Sequence, residues 1–198
     1  MPIIRLIGNA ALSLISKIST GYWHTFDATN GYTALHTRLI PYLPLDKISK
    51  GYFFETDLLF RLNTLQACVI DIPMSAKYED EESNLRILRV FWPFLKGHVR
   101  NTFKRLFYSY FLRNFSVASI ELLLGVPLLI GGMLYGLSKW IILSDAGLTA
   151  TSGTVMLAAL PVLIGFQLLL SVLNYDVENI PSQPIHPRLP AKDLELES

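Results

Sequence analysis

The sequence is poor in the residues that build reactive centres. Its 198 residues contain one cysteine, Cys68, which excludes an intramolecular disulfide and any cysteine-based zinc cluster. The four histidines, His24, His36, His98 and His186, are scattered, and no HExxH pair occurs. There is no glycine-rich phosphate loop and no Gly-x-Ser-x-Gly elbow. No Asp-x-Asp occurs either, which removes the usual means of holding a divalent ion on a nucleotide diphosphate. Charges of one sign are locally missing. Arg86, Arg89, Lys96, Arg100, Lys104, Arg105 and Arg113 fall between 83 and 114 with no acid among them. From 176 onward Asp176, Glu178, Asp193, Glu195 and Glu197 face only Arg188 and Lys192. The formal net charge of +1 therefore conceals a segregated pattern. A chain of this length holds one ordinary domain and little more.

Apolar residues, by contrast, are abundant: they make up 51% of the chain, with a mean hydropathy of +0.38. Residues 117–137 carry one charge, Glu121, and 155–173 carry none. At about 1.5 Å per helical residue, each segment is long enough to cross a hydrocarbon layer about 30 Å thick. The polar break at 144–153 suffices to turn the chain back, so the pair reads as a transmembrane hairpin spanning 115–174. The alternative, two buried helices of a soluble protein, conflicts with their all-round apolar surface, which a domain of this size cannot cover. Gly132 and Gly136 form a small-xxx-small pair, and with Gly165 they would let the two helices approach closely or pack against another copy. Pro127 and Pro161 are expected to kink them, and Glu121 to pair with Arg113 or snorkel. The basic excess before the first span predicts both termini in the cytoplasm and the loop outside, and a bacterial inner membrane is the expected location. Neither span has the ionisable lining that a two-helix transporter subunit would need.

Residues 1–83 read as part of an α/β domain. Ile4, Ile7, Ala11, Leu14, Ile15 and Ile18 recur at helical spacing, and Asn9, Ser13 and Lys17 interrupt the run too often for a signal peptide. Asp27, Thr29, Asn30 and Gly31 make a polar turn, and 32–36 alternates as a short strand would. Residues 53–65 predict a helix with Leu58, Leu59, Leu62 and Leu65 on one side. Glu55 and Asp57 then lie in its first turn, where the dipole favours carboxylates. Residues 67–72 predict a buried strand ending at Pro73, with Cys68 filling a small site. A polar loop follows at 75–83. From 84 to 114, aromatic and aliphatic residues recur at steps of three and four among the basic ones. Pro93 and Gly97 divide the stretch into two predicted helices. A basic, aromatic-rich amphipathic segment directly before a span reads as an interfacial helix on anionic lipid. A calmodulin-type target and a nucleic-acid patch are the competing readings. Continuity with the span favours lipid, and no nucleic-acid partner is expected. Residues 175–198, with Pro181, Pro184, Pro187 and Pro190, read as a disordered cytoplasmic tail.

By pattern alone the polar clusters are turn formers and helix caps. A resemblance gives them more. GNAALSLISKISTGYWHTFDATNGYTALH, then GYFFETDLLFRLN, then VIDIPMSAKYEDEESNLRI resemble the second half of a family 2 inverting glycosyltransferase. The similar group is the dolichyl- or polyprenyl-phosphate sugar transferases with two C-terminal membrane helices. The resemblance covers residues 5–175, and the order of parts carries it more than any single motif. It implies a partial GT-A domain at 1–83, amphipathic interfacial helices at 84–114 and the hairpin. It also implies a sugar passed from a nucleotide sugar to a polyprenyl-phosphate acceptor at the membrane surface. The segment from Asp27 to Tyr32 is similar to the family's Asp-x-x-Ser/Thr-Gly-Phe/Tyr stretch beside the acceptor, with Asn30 where a hydroxyl residue is common. Glu55 and Asp57 fall where the family places an acidic residue at the mouth of the site. The run from Lys77 to Leu85 resembles its Arg-x-x-Gly-x-Ser-Lys-Leu phosphate loop, with Lys77 or Tyr78 near the Arg position and Ser83 in place, although Asn84 replaces the lysine. The implied catalytic set is Asp27, Glu55 and Asp57, with Asn30, Lys77 and Ser83 toward acceptor and phosphate. Mg²⁺ or Mn²⁺ would serve the complete enzyme and none would be bound by this chain alone, because the Asp-x-Asp half is absent. The chain is thus expected to be inactive by itself, its partners being the missing half or a second copy. A non-catalytic membrane-anchored interaction protein is the alternative.

Overall fold

The computed structural model describes residues 3–25, 32–72 and 87–190. The chain divides into two compact units. Unit 1 comprises Met1–Ser109 with Ile180–Ser198, and unit 2 comprises Tyr110–Asn179.

Unit 1 is built on three helices, α1 (Ile3–Thr20), α2 (Phe54–Thr64) and α3 (Ile87–Phe107). Its apolar core gathers Tyr22, Leu39, Leu43, Ile48, Leu58, Leu62 and Ala67. The turn leaving α1 depends on Gly21, whose φ of 80° falls in the left-handed region. A Cβ there would also lie 2.7 Å from Asn63 Nδ2 and 2.9 Å from Arg105 Nη1. Arg105 is buried and donates from Nε to the carbonyl of Ile18 at 2.9 Å, so a cation sits at the negative end of α1.

The architecture among the described residues is all-α, and the expected α/β domain is overturned: no strand is present. Both segments expected as strands lack one. Residues 32–36 enter a short 3₁₀ turn at Thr37–Tyr42, and 67–72 run as irregular chain. A strand requires a neighbouring ladder, and here side chains take its place. Tyr22 Oη donates to the carbonyl of Ala67 at 2.5 Å, and His24 Nε2 lies 3.0 Å from that of Val69. Ala67 is buried, while Ile70 and Ile72 are exposed.

Two further expectations change. Pro93 and Gly97 do not divide α3, which runs unbroken through both. Pro93 lies on the exposed side, while Gly97, His98 and Asn101 are buried in contacts that keep the rod continuous. Gly97 has a packing role, since a Cβ there would sit 2.7 Å from the Phe53 ring. Residues 180–190, read as part of a disordered tail, instead cover the core of unit 1. Ile180, Ile185 and Leu189 pack against it, His186 stacks on His36 at 4.1 Å, and Tyr42 Oη donates to the carbonyl of Pro190.

Unit 2 is a pair of antiparallel helices, α4 (Val117–Asp145) and α5 (Ser152–Glu178). Both are long and apolar enough to cross a membrane, and only 22% and 11% of their most apolar windows are buried. The core helix of a soluble protein would be mostly covered. The helices meet along glycines. A Cβ on Gly132 would lie 2.8 Å from Val162 Cγ2, and one on Gly165 would lie 2.5 Å from the Leu129 amide nitrogen. Gly125, which the sequence reading passed over, belongs to the same seam, since a Cβ there would be 3.2 Å from the Gly165 carbonyl. Polar ties sit at one end. Ser171 donates to Glu121 at 2.9 Å, Tyr110 Oη to Asp176 at 3.0 Å, and Ser119 Oγ to the Tyr110 carbonyl at 2.5 Å.

Candidate functional site

Three stretches of unit 1 meet at Asp57: residues 47–49, α2 and α3. Its carboxylate is fully buried. Oδ2 accepts from the Ser49 amide at 2.9 Å and from Arg61 Nε and Nη2 at 3.2 and 3.1 Å. Oδ1 accepts from Asn101 Nδ2 at 2.9 Å, with Arg100 Nη2 at 3.7 Å. Arg61 also donates to the carbonyl of Lys47. The i, i+4 spacing of Asp57 and Arg61 on α2 sets up the ion pair. The contact from Asn101 then ties α2 to α3. Burying an unpaired carboxylate costs several kcal/mol, so the four donors are what make this position tenable.

A second buried pair links α1 to α3. His98 Nδ1 lies 2.7 Å from Ser19 Oγ, whose hydroxyl donates to the Ser16 carbonyl at 3.1 Å. Nε2 is buried without a hydrogen-bond partner among the described residues, and the edges of Phe53 and Phe94 lie against the ring at 5.1 and 4.5 Å. Serine beside histidine suggests a nucleophile and its base, but Ser19 and His98 are 0% and 1% exposed, so no substrate reaches them. Burial lowers the His98 pKa from 6.5 to about 4, because a cation there would be desolvated. Between those values the unfolded chain binds more protons than the folded one, so stability falls as pH drops from 6.5 to 4. The expected loss is about 3 kcal/mol, read as a decline in Tm that His98→Gln flattens.

The third feature is a cleft of about 430 Å³ between residues 49–53 and α3. Lys50, Lys96 and Arg100 line it over a floor of Phe53 and Phe94, with Tyr52 at its side. Among the described residues no carboxylate lines it. Comparison with protein-family models, curated proteins and solved structures gives no match. The site therefore stands on its own geometry.

Of the residues singled out from the sequence, Glu55 and Asp57 share the first turn of α2, as expected. Their environments differ: Glu55 is half-buried, whereas Asp57 is sealed into its network. Asp27, Asn30, Lys77 and Ser83 lie outside the described residues, so only Glu55 and Asp57 are placed together. Among the described residues no group of three or more His, Cys, Asp or Glu is placed to hold a metal ion. Asp57, whose oxygens are already committed, does not fit that duty. The cleft was missed because its cations come from 50, 96 and 100, far apart in sequence. The Asp57–Arg61 spacing was the one local signal that α2 carries a buried ion pair.

Proposed function

We propose that this chain acts on the acceptor side of a membrane-anchored transfer of a sugar from a nucleotide sugar to a polyprenyl-phosphate-type lipid. The resemblance of three ordered segments is the basis for the chemistry. The supporting observation in the structure is α3. Trp92, Val99, Phe103 and Phe107 are exposed along one arc beside Lys96, Arg100 and Lys104, and the opposite arc is buried through His98, Asn101 and Arg105. Such a face suits an anionic lipid surface, and the chain continues from it into α4 within ten residues. In this reading α4 and α5 span a bacterial inner membrane with both termini in the cytoplasm.

The reaction is an in-line displacement. An oxygen of the lipid phosphate bonds to the anomeric carbon as the bond from that carbon to the nucleotide diphosphate breaks. The attacking phosphate is already anionic, so positioning matters more than a general base. Asp27 and Glu55 are assigned to the sugar and acceptor, and Lys77 and Ser83 to phosphate. The test uses membranes of the source organism with labelled UDP- and GDP-sugars. Deleting the coding sequence, or introducing Asp27→Asn, is expected to abolish one lipid-linked labelled product. An unchanged product set overturns the assignment. A second reading, a non-catalytic membrane-anchored interaction protein, draws on the exposed Ile70 and Ile72 of unit 1, and the same assay separates the two.

A further inference from the structure

We propose that the cleft formed by residues 49–53 and α3 binds a phosphate monoester, held by Lys50, Lys96 and Arg100. The cleft deepens the acceptor-side reading, on which it rests only for the source of the phosphate. Its charge is the starting point. Three cations converge on one concavity, and among the described residues Lys50 and Lys96 have no carboxylate partner. Asp57 lies below the surface and is already matched by Arg61. Arg100 leans on it at 3.7 Å, with its side chain 51% exposed, so Asp57 aims the guanidinium without consuming its donors. The Asn101 contact from Arg100 Nε, at 3.5 Å, is at the limit of hydrogen bonding.

Three like charges on an aromatic floor repel one another and focus a positive potential into the cleft. An anion carrying two charges relieves that repulsion better than a carboxylate does. A planar guanidinium with two mobile ammonium groups matches the three oxygens of a phosphate monoester. The volume, about 430 Å³, exceeds a bare phosphate and leaves room for the first part of an attached chain. Two sources present this chemistry, a phosphate-bearing lipid and a soluble nucleotide. The arc that carries Lys96 and Arg100 also carries the exposed Trp92, Val99 and Phe103, which favours the lipid.

The experiment uses the full chain in phosphatidylcholine nanodiscs, with calorimetric titration of citronellyl phosphate, citronellol, inorganic phosphate and UDP. Citronellyl phosphate is expected to bind with salt-sensitive affinity, inorganic phosphate to compete weakly, and citronellol not to bind. Each of Lys50→Ala and Lys96→Ala is expected to weaken binding by about tenfold. Both lysines are exposed side chains outside the Asp57 network, so an unchanged thermal melt accompanies that loss. Wild-type affinity in the Lys50→Ala/Lys96→Ala double variant overturns the site. Binding of UDP in place of citronellyl phosphate overturns the lipid source. Transferase activity in source membranes that survives the double variant rejects the cleft and leaves the sugar-transfer reading standing. Cleft binding without any lipid-linked product rejects that reading and leaves the cleft.

Discussion

Asp57→Ala is expected to unfold unit 1 while leaving the α4–α5 hairpin intact. The substitution removes one carboxylate and strands every group that it satisfies. The Ser49 amide and Asn101 Nδ2 lose their acceptor, and Arg61, 14% exposed, keeps a buried charge with only the Lys47 carbonyl beside it. Breaking a buried pair by removing one partner costs about 3–5 kcal/mol. That is a large share of the roughly 5–15 kcal/mol that holds a whole domain together. Asp57→Asn is expected to be milder, because the shape and one acceptor oxygen survive while the charge does not. The measurement is limited proteolysis of the full chain in detergent micelles, followed by mass mapping. Cleavage is expected throughout unit 1 at temperatures where the wild type resists, with residues 117–178 still protected. An alanine variant as resistant as the wild type would remove Asp57 from its place at the centre of this unit.

Gly165→Leu is expected to separate α4 from α5. Even a methyl group at this position would stand 2.5 Å from the Leu129 amide nitrogen and 2.8 Å from the Gly125 carbonyl. These are backbone atoms, so no rotamer change relieves the clash. Overpacking costs about 1–3 kcal/mol in well-packed interiors. Within lipid, helix association has no hydrophobic drive to offset it. Cross-linking reads the effect. A Cβ on Gly136 would lie 3.2 Å from Ala158 Cβ, close enough for a Gly136→Cys/Ala158→Cys pair to oxidise in a Cys68→Ala background. The bridge is expected to form readily with Gly165 present and to fall at least several-fold with leucine there. Equal yields in both backgrounds would contradict the seam.

The sequence announced these helices unequally. Those of unit 2 were legible because their apolar runs are long and uncharged, and α2 because Leu58 and Leu62 recur on one face. The strand at 67–72 was misread because a short run with Val69, Ile70 and Ile72 looks the same whether it joins a sheet or lies alone. Nothing local tells the chain that Tyr22 and His24 will take its carbonyls. Continuity of α3 through Pro93 was likewise settled by tertiary contacts, with Phe53 packed against Gly97. Glu55 and Asp57 were legible as a pair in one turn, yet residues two positions apart on a helix point to nearly opposite sides. The spacing itself implied that only one of them faces inward. Residues 180–190 carry the prolines of a loose tail, and their three aliphatic side chains meet the core only after the hairpin has returned the chain.

That return has a consequence for how the protein is made. The core around Leu39, Leu58 and Leu62 is closed by Ile180, Ile185 and Leu189, which follow the hairpin in sequence. On the ribosome the first lobe therefore waits, unsealed, until both long apolar helices have been synthesised. A nascent chain stalled at Asn179 would therefore still leave that core open to proteases.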